Sequence, residues 1–149
     1  MSYADTGFVC SLLAPDANTA AAVKRMRSQK LPLAWTWLHE VEFRNSARLR
    51  VFRREMTRAE ADRTLQTQLA DLAAGVYTRL VPDQMALMSE TERLSAQHSA
   101  TLGTRSLDVL HVAAALVLGT SDFLTFDKRQ ARLAKAAGLR VPALAGQTL

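Results

Sequence analysis

Acidic side chains recur in this chain where an apolar run gives way to a helical pattern. Asp5 follows "SYA", Glu40 and Glu42 follow "LPLAWTWL", and Asp127 follows "DFLTF". Asp108 stands in the first turn of "SLDVLHVAAALVLG", a segment apolar almost all round. Taken singly, each has an ordinary explanation. Asp5 and Asp127 are good helix N-caps, and Asp108 complements a helix dipole. Glu40 has Arg44 four residues on, the spacing of a surface ion pair. Glu42 instead has Asn45 and Ser46 on its face, with no obvious cation, and is the better site candidate. Asp108 shares a face with His111 and Val112 on a helix with no clear solvent side, where a charge needs a partner or a metal.

The set says more than its members. Carboxylates gathered at close range do not all stay ionised without a cation. Oxygen-only ligation favours Mg2+ or Mn2+. The histidines and the single cysteine offer no zinc spacing such as HExxH or paired CxxC. A hard divalent ion can lower the pKa of a bound water and stabilise charge on a phosphoryl oxygen. The chemistry that fits is phosphodiester hydrolysis.

For the acids to meet, the elements that carry them must bring distant segments together. A very short strand precedes Asp5, followed by a turn and a helical stretch. "APDANTAAAVKRMRSQK" reads as a helix with Pro15 near its first turn. "LPLAWTWL" has strand composition, and alternation puts Trp35 and Trp37 on one strand face, as core or interface rather than base-stacking platforms. "HEVEFRNSARLRVFRRE" is helical. Thr57 and Glu60 have capping-box spacing and start another helix, to about Ala74. "GVYTRLVP" is a strand, and "DQMALMSETERLSAQHSATLG" a helix that stops at Gly103. The helix of Asp108 should be buried on more than one side. "DFLTF" is a strand, Asp127 to Ala137 a helix, and "GLRVPAL" a last short strand. Strands alternating with helices or helix pairs predict an α/β domain with a mainly parallel sheet. In such folds, sites lie at the carboxyl ends of the strands.

The 149 residues suit one domain with a full core, and hydrophobic residues make up 48% of them. Lys and Arg number 19 against 14 Asp and Glu, a net charge of +5 that attracts polyanions, nucleic acid among them. Cys10 has no partner for an internal disulfide, which fits a reducing compartment. No signal-peptide pattern opens the sequence. The longest apolar run, Val112 to Leu118, is too short for a bilayer. A cytoplasmic protein is expected.

These residues carry a resemblance. "YADTGFVCSLL", "LHEVEFRNSARLR", "RSLDVLHVAAAL" and "FLTFDKRQARLAKAAGL" are similar, in order and spacing, to the acid-bearing blocks of the PIN domain, and within it of VapC-type toxins of bacterial toxin–antitoxin pairs. The resemblance spans nearly the whole chain. It implies a PIN-like fold, a short mainly parallel sheet flanked by helices in three α/β/α layers. It also implies a Mg2+- or Mn2+-dependent ribonuclease acting on an RNA substrate, a homodimer, and a cognate antitoxin that blocks the site. The first to fourth acids would be Asp5, Glu42, Asp108 and Asp127, as metal-holding and catalytic residues. Glu40 lies close enough to leave the second acid open between the two. The family commonly places a small hydroxyl residue two after the first acid; here that residue is Gly7, leaving Thr6 as the nearby hydroxyl.

On this reading Asp5 or Asp108 orients or deprotonates the attacking water. Thr6 and Thr125 support the carboxylates. Asn45 either does the same, touches RNA or makes a core hydrogen bond, and Arg105 reaches the pocket or pairs with one of its acids. His111 reads as a hydrogen-bonded core histidine. The arginines from Arg44 to Arg63 form no single stripe and read mostly as a solvated face. Rival folds with acids at strand ends fit less well. A haloacid-dehalogenase pattern needs an aspartate where Gly7 stands, and a receiver domain needs one where the second strand exits into Trp37 and Leu38. The remaining alternatives are a non-catalytic PIN-fold module that binds RNA or protein, and a nuclease acting on DNA, which only the family resemblance sets aside.

Overall fold

In the computed structural model, residues 1–29 and 32–144 are described. Lys30 and Leu31, where the second expected helix meets the second expected strand, lie outside them, as do residues 145–149. The strands are β1 (Ser2–Ala4), β2 (Leu33–Trp35), β3 (Tyr77–Arg79) and β4 (Asp122–Leu124), in the order β3-β2-β1-β4, with every pair parallel. Parallel neighbours need a crossover, and helices supply each one. They are α1 (Thr6–Leu13), α2 (Thr19–Ser28), α3 (Trp37–Phe52), α4 (Arg58–Ala73), α5 (Gln84–Leu94), α6 (Ala100–Leu102), α7 (Ser106–Val117) and α8 (Lys128–Ala136). A π-helical turn, Ser95–Ser99, joins α5 to α6, and Gly103 ends the run in the left-handed conformation at φ +65°.

The strands are only three residues long; β1, β2 and β4 are buried on both faces, while the edge strand β3 runs from buried Tyr77 to exposed Arg79. Tyr3, Ala34 and Phe123 stand in register across the sheet and face one core, shared with α5, α7 and α8. Ala4, Leu33, Trp35 and Leu124 face the other, with Phe8, Val9, Ala22 and Phe43 from α1, α2 and α3. The architecture is the expected three-layer α/β/α fold of PIN-like type. α7 is buried on several sides, as its composition predicts, with Val112 to Ala115 fully enclosed.

Helix starts follow the sequence cues. The Thr57–Glu60 capping box is formed, the Thr57 N–H donating to Glu60 at 2.7 Å. Asp83 caps α5, accepting from the Ala86 N–H at 2.8 Å. Three expectations are corrected. The second helix starts at Thr19, not near Pro15, because Asp16 ties its own turn together by accepting from the Asn18 N–H at 2.7 Å. Trp37 is not on a strand face with Trp35. It opens α3 and is 51% exposed, whereas Trp35 is 1% exposed, because His39 Nδ1 accepts the Thr36 N–H at 3.0 Å and turns the chain into a helix there. The last expected strand reduces to a single parallel bridge, Asp122 to Arg140, since Pro142 lacks the N–H that would extend the ladder. No helix among the described residues is long and apolar enough to cross a membrane.

Phe123 stacks on Tyr3 with ring centroids 5.6 Å apart and has no exposed surface. Phe123→Ala should cost about 3–5 kcal/mol through the cavity it leaves. Phe52→Ser, at a position 84% exposed, should stay within about 0.5 kcal/mol of the parent. Urea midpoints of the two variants measure both.

Candidate active site

The carboxyl edge of the sheet is built from helix caps. Asp5 follows β1 directly and caps α1, its Oδ1 accepting the Phe8 N–H at 2.7 Å. Because Ala4 pairs with Leu124, the next residues of the two strands, Asp5 and Thr125, stand side by side. The Thr125 hydroxyl donates to Asp5 Oδ2 at 2.5 Å and accepts the Asp127 N–H at 2.9 Å. Asp127 caps α8, its Oδ1 accepting from the N–H groups of Arg129 at 2.7 Å and Gln130 at 3.0 Å. Thus one hydroxyl links the first acid to the backbone of the fourth.

Glu42 approaches from α3. Its Oε2 accepts the Thr6 hydroxyl at 2.8 Å and also meets His111 Nε2. A carboxylate only accepts, so Nε2 carries the proton. His111 Nδ1 then accepts from the Tyr3 hydroxyl at 2.8 Å. This chain from Tyr3 through His111 to Glu42 makes His111 the buried, hydrogen-bonded residue its surroundings in sequence imply. Glu40 is directed elsewhere. It accepts Trp35 Nε1–H at 2.9 Å, pairs with Arg44 and lies 3.9 Å from Arg79. The geometry therefore ties Glu42, not Glu40, to the Asp5 neighbourhood through Thr6.

Asp108 is 8% exposed in the first turn of α7. Its Oδ2 accepts the Arg105 N–H at 3.1 Å and pairs with Arg105 Nε at 3.4 Å. The same guanidinium lies 3.5 Å from Asp127 Oδ2. Arg105 does pair with the acids, and with two rather than one.

Burial pushes the Asp5 carboxyl up to about 6, against the lowering pull of the Thr125 and Phe8 hydrogen bonds, with Asp127 adding to the rise. Partial burial works in the same direction on Glu42 but is outweighed by His111 and Thr6, which hold it below its ordinary value. Burial lowers His39 to about 3, and it stays neutral, its Nε2 donating to the Ala4 carbonyl at 2.7 Å.

A cleft of about 530 Å3 opens at this edge, lined by Asp5, Thr6, Glu42 and Asp127 and running between α1 and α3 toward Arg50 and Arg53. Along α3, Glu42, Ser46, Arg50 and Arg53 all line it, at spacings of four, four and three. Sequence reasoning assigned Arg50 and Arg53 to a solvated face; the signal for their role was their helical register with Glu42. Cys10 and Ser46 face each other across the cleft at 3.6 Å and were also missed. Asn45 is exposed and, among the described residues, makes no core hydrogen bond, and neither it nor Asp108 lines the cleft.

The donor set suits a hard divalent cation: Asp5, Glu42, Asp108 and Asp127 offer only oxygen. Buried Asp5, with its raised proton affinity, is a group that a nearby cation would relieve. The oxygens are nonetheless arranged in linked pairs rather than one cage. Among the described residues, no three acid, histidine or cysteine side chains lie close enough together to hold an ion as they stand. Closing the set requires Asp108 and Asp127 to turn from Arg105.

Compared by sequence, the chain matches no family model and no curated protein. Compared by structure, it resembles toxins of the VapC and FitB kind, which carry the PIN fold. VapC20 of Mycobacterium tuberculosis, described as a sarcin–ricin loop cleaving toxin, superposes with a TM-score of 0.68 at 18% identity, covering 93% of this chain and 96% of that one. FitAcB of Neisseria gonorrhoeae gives 0.67 at 19%, covering 96% and 97%. VapBC2 of Rickettsia felis, bound to a promoter DNA fragment, gives 0.64 at 11%, covering 97% and 99%. The chain therefore has the PIN-like fold.

The Asp5 proton affinity has a measurable consequence without metal. Its carboxyl holds a proton more tightly folded (about 6) than unfolded (3.8), so its contribution to stability is lost as pH rises between those values. Asp5→Asn keeps the cap and removes the charge. In EDTA above pH 6 it should be more stable than the parent by about 1–3 kcal/mol, a difference that shrinks toward zero at pH 4. Urea unfolding of both proteins from pH 4 to 8 reads this directly.

Proposed function

We propose that this protein is a metal-dependent endoribonuclease, the toxin of a toxin–antitoxin pair. The observation that carries the reading is buried Asp5 at the exit of the central strand, coupled through hydroxyls to its neighbours: Thr125 leads to Asp127, and Thr6, beside it, to Glu42. The fold it shares with VapC20, described as cleaving the sarcin–ricin loop, supports RNA as the substrate class. Neighbours solved as toxin–antitoxin assemblies support an antitoxin partner. A homodimer and Mg2+ or Mn2+ complete the proposal.

Asp5, Glu42, Asp108 and Asp127 would hold the ion, which when bound acidifies water and offsets negative charge on a phosphoryl oxygen. The protein's own groups do the rest. Asp5, lining the cleft and held by Thr125 and the Phe8 N–H, orients the attacking water and accepts its proton as its oxygen bonds to phosphorus. The bond from phosphorus to the leaving oxygen breaks, and that oxygen is protonated. Thr125 and the Phe8 N–H keep Asp5 aimed, and Thr6 and His111 do the same for Glu42. Arg50 and Arg53 lie about 12 and 16 Å along α3 from Glu42 at 1.5 Å per residue. They would take phosphates further along the strand.

The alternative, a non-catalytic module, draws support from the pairing of Asp108 and Asp127 with Arg105 in place of a formed cage. Incubating a structured RNA pool with Mg2+, Mn2+ or EDTA separates the two. The nuclease cuts with metal and not with EDTA, and Asp5→Asn lowers the rate by about 10²–10⁴-fold. Folded, antitoxin-free protein that cuts nothing with either metal would leave the binding module. Arg53→Ala should weaken RNA binding and reduce the salt slope of log K by about 1, measured by filter binding from 50 to 200 mM salt.

A further inference from the structure

We infer that Arg105 is a built-in counter-cation of the acid site. Its guanidinium bridges Asp108 and Asp127 when no divalent ion is present, yields to one that binds, and then takes a substrate phosphate at the mouth of the site. The inference rests on the proposed function and adds a residue that works in two positions.

The geometry around Arg105 points this way. Asp108 belongs to α7 and Asp127 to the cap of α8, and the Arg105 guanidinium lies between them. Both contacts are long, at 3.4 and 3.5 Å, and the Arg105 side chain is 66% exposed. Only the Arg105 end of each pair is well exposed, so water can take over the guanidinium's side of both contacts when it swings out. Each acid keeps a backbone anchor while it turns from the departing guanidinium. Asp108 is held by the Arg105 backbone N–H at 3.1 Å, and Asp127 by the N–H groups of Arg129 and Gln130. Arg105 engages Oδ2 of each acid, so it competes for carboxylate groups that the proposed ion would draw on. Gly103 and Thr104 place Arg105 on the loop before α7, where its long side chain can swing toward solvent. A planar guanidinium is also suited to a phosphate, which it can bind through two parallel hydrogen bonds.

Two binding measurements on the full chain, stripped with chelator, test this. The first is calorimetric titration with Mn2+ of the parent, Arg105→Gln, Arg105→Lys and Asp108→Asn. The second is binding of a 2′-O-methyl RNA, which resists cleavage, in saturating Mn2+. Arg105→Gln should bind Mn2+ more tightly by about 2–30-fold, the worth of two weak, partly exposed ion pairs. It should bind the RNA more weakly by a similar factor. Arg105→Lys should match the parent more closely on Mn2+, and Asp108→Asn should lose Mn2+ affinity. Matching thermal unfolding of Arg105→Gln and parent secures the comparison. Unchanged or weaker Mn2+ binding by Arg105→Gln, from a parent that binds the ion, overturns the counter-cation role alone. Tighter Mn2+ binding with unchanged RNA affinity overturns the phosphate role. A parent that binds no Mn2+ overturns the metal site and this inference with it.

Discussion

The constraint on which the rest depends is the placement of a carboxyl group, Asp5, inside the protein at the end of the central strand. A buried carboxylate without compensation is costly, and the structure surrounds this one with donors. The first turn of α1 supplies a backbone N–H and β4 supplies the Thr125 hydroxyl. Neither is enough to keep the group at its ordinary acidity. The remaining imbalance is one that a bound cation would relieve.

The other acids are positioned by the same economy of parts. Asp127 begins a helix while meeting the site, and Asp108 accepts a backbone N–H at the start of α7. Glu42 is held from inside the fold by His111, itself fixed by Tyr3 in the central strand. Short strands make this arrangement tight. With three residues each, the strands are short, and the following helix starts after one residue at β1 and β2 and after three at β4.

Much of this was legible from the sequence. Acids after the apolar runs and one helix apolar almost all round led to the reading that Asp5, Asp108 and Asp127 converge at one edge, and Glu42 was preferred to Glu40 because its helix face is polar without an obvious cation. What was not legible depends on tertiary direction. The alternation of Trp35 and Trp37 was read as strand, because the side chain that caps α3 is His39, an unusual residue for the role. Arg50 and Arg53 were read as solvated because the cleft they line has α1 as its other wall, and that pairing is set by packing. The last strand looked complete until its proline met the requirement for a ladder N–H. The Tyr3–His111 bond spans 108 residues, and no local pattern announces it.

The Thr125–Asp5 hydrogen bond carries a consequence for synthesis. Its partners are 120 residues apart in the chain, so the first acid is made early and its companion strand among the last elements. A nascent chain on the ribosome holds Asp5 and Glu42 long before β4 can slot beside β1. Pairing at such separation is late and slow to form. The order of translation therefore leaves this edge of the sheet incomplete until β4 has emerged.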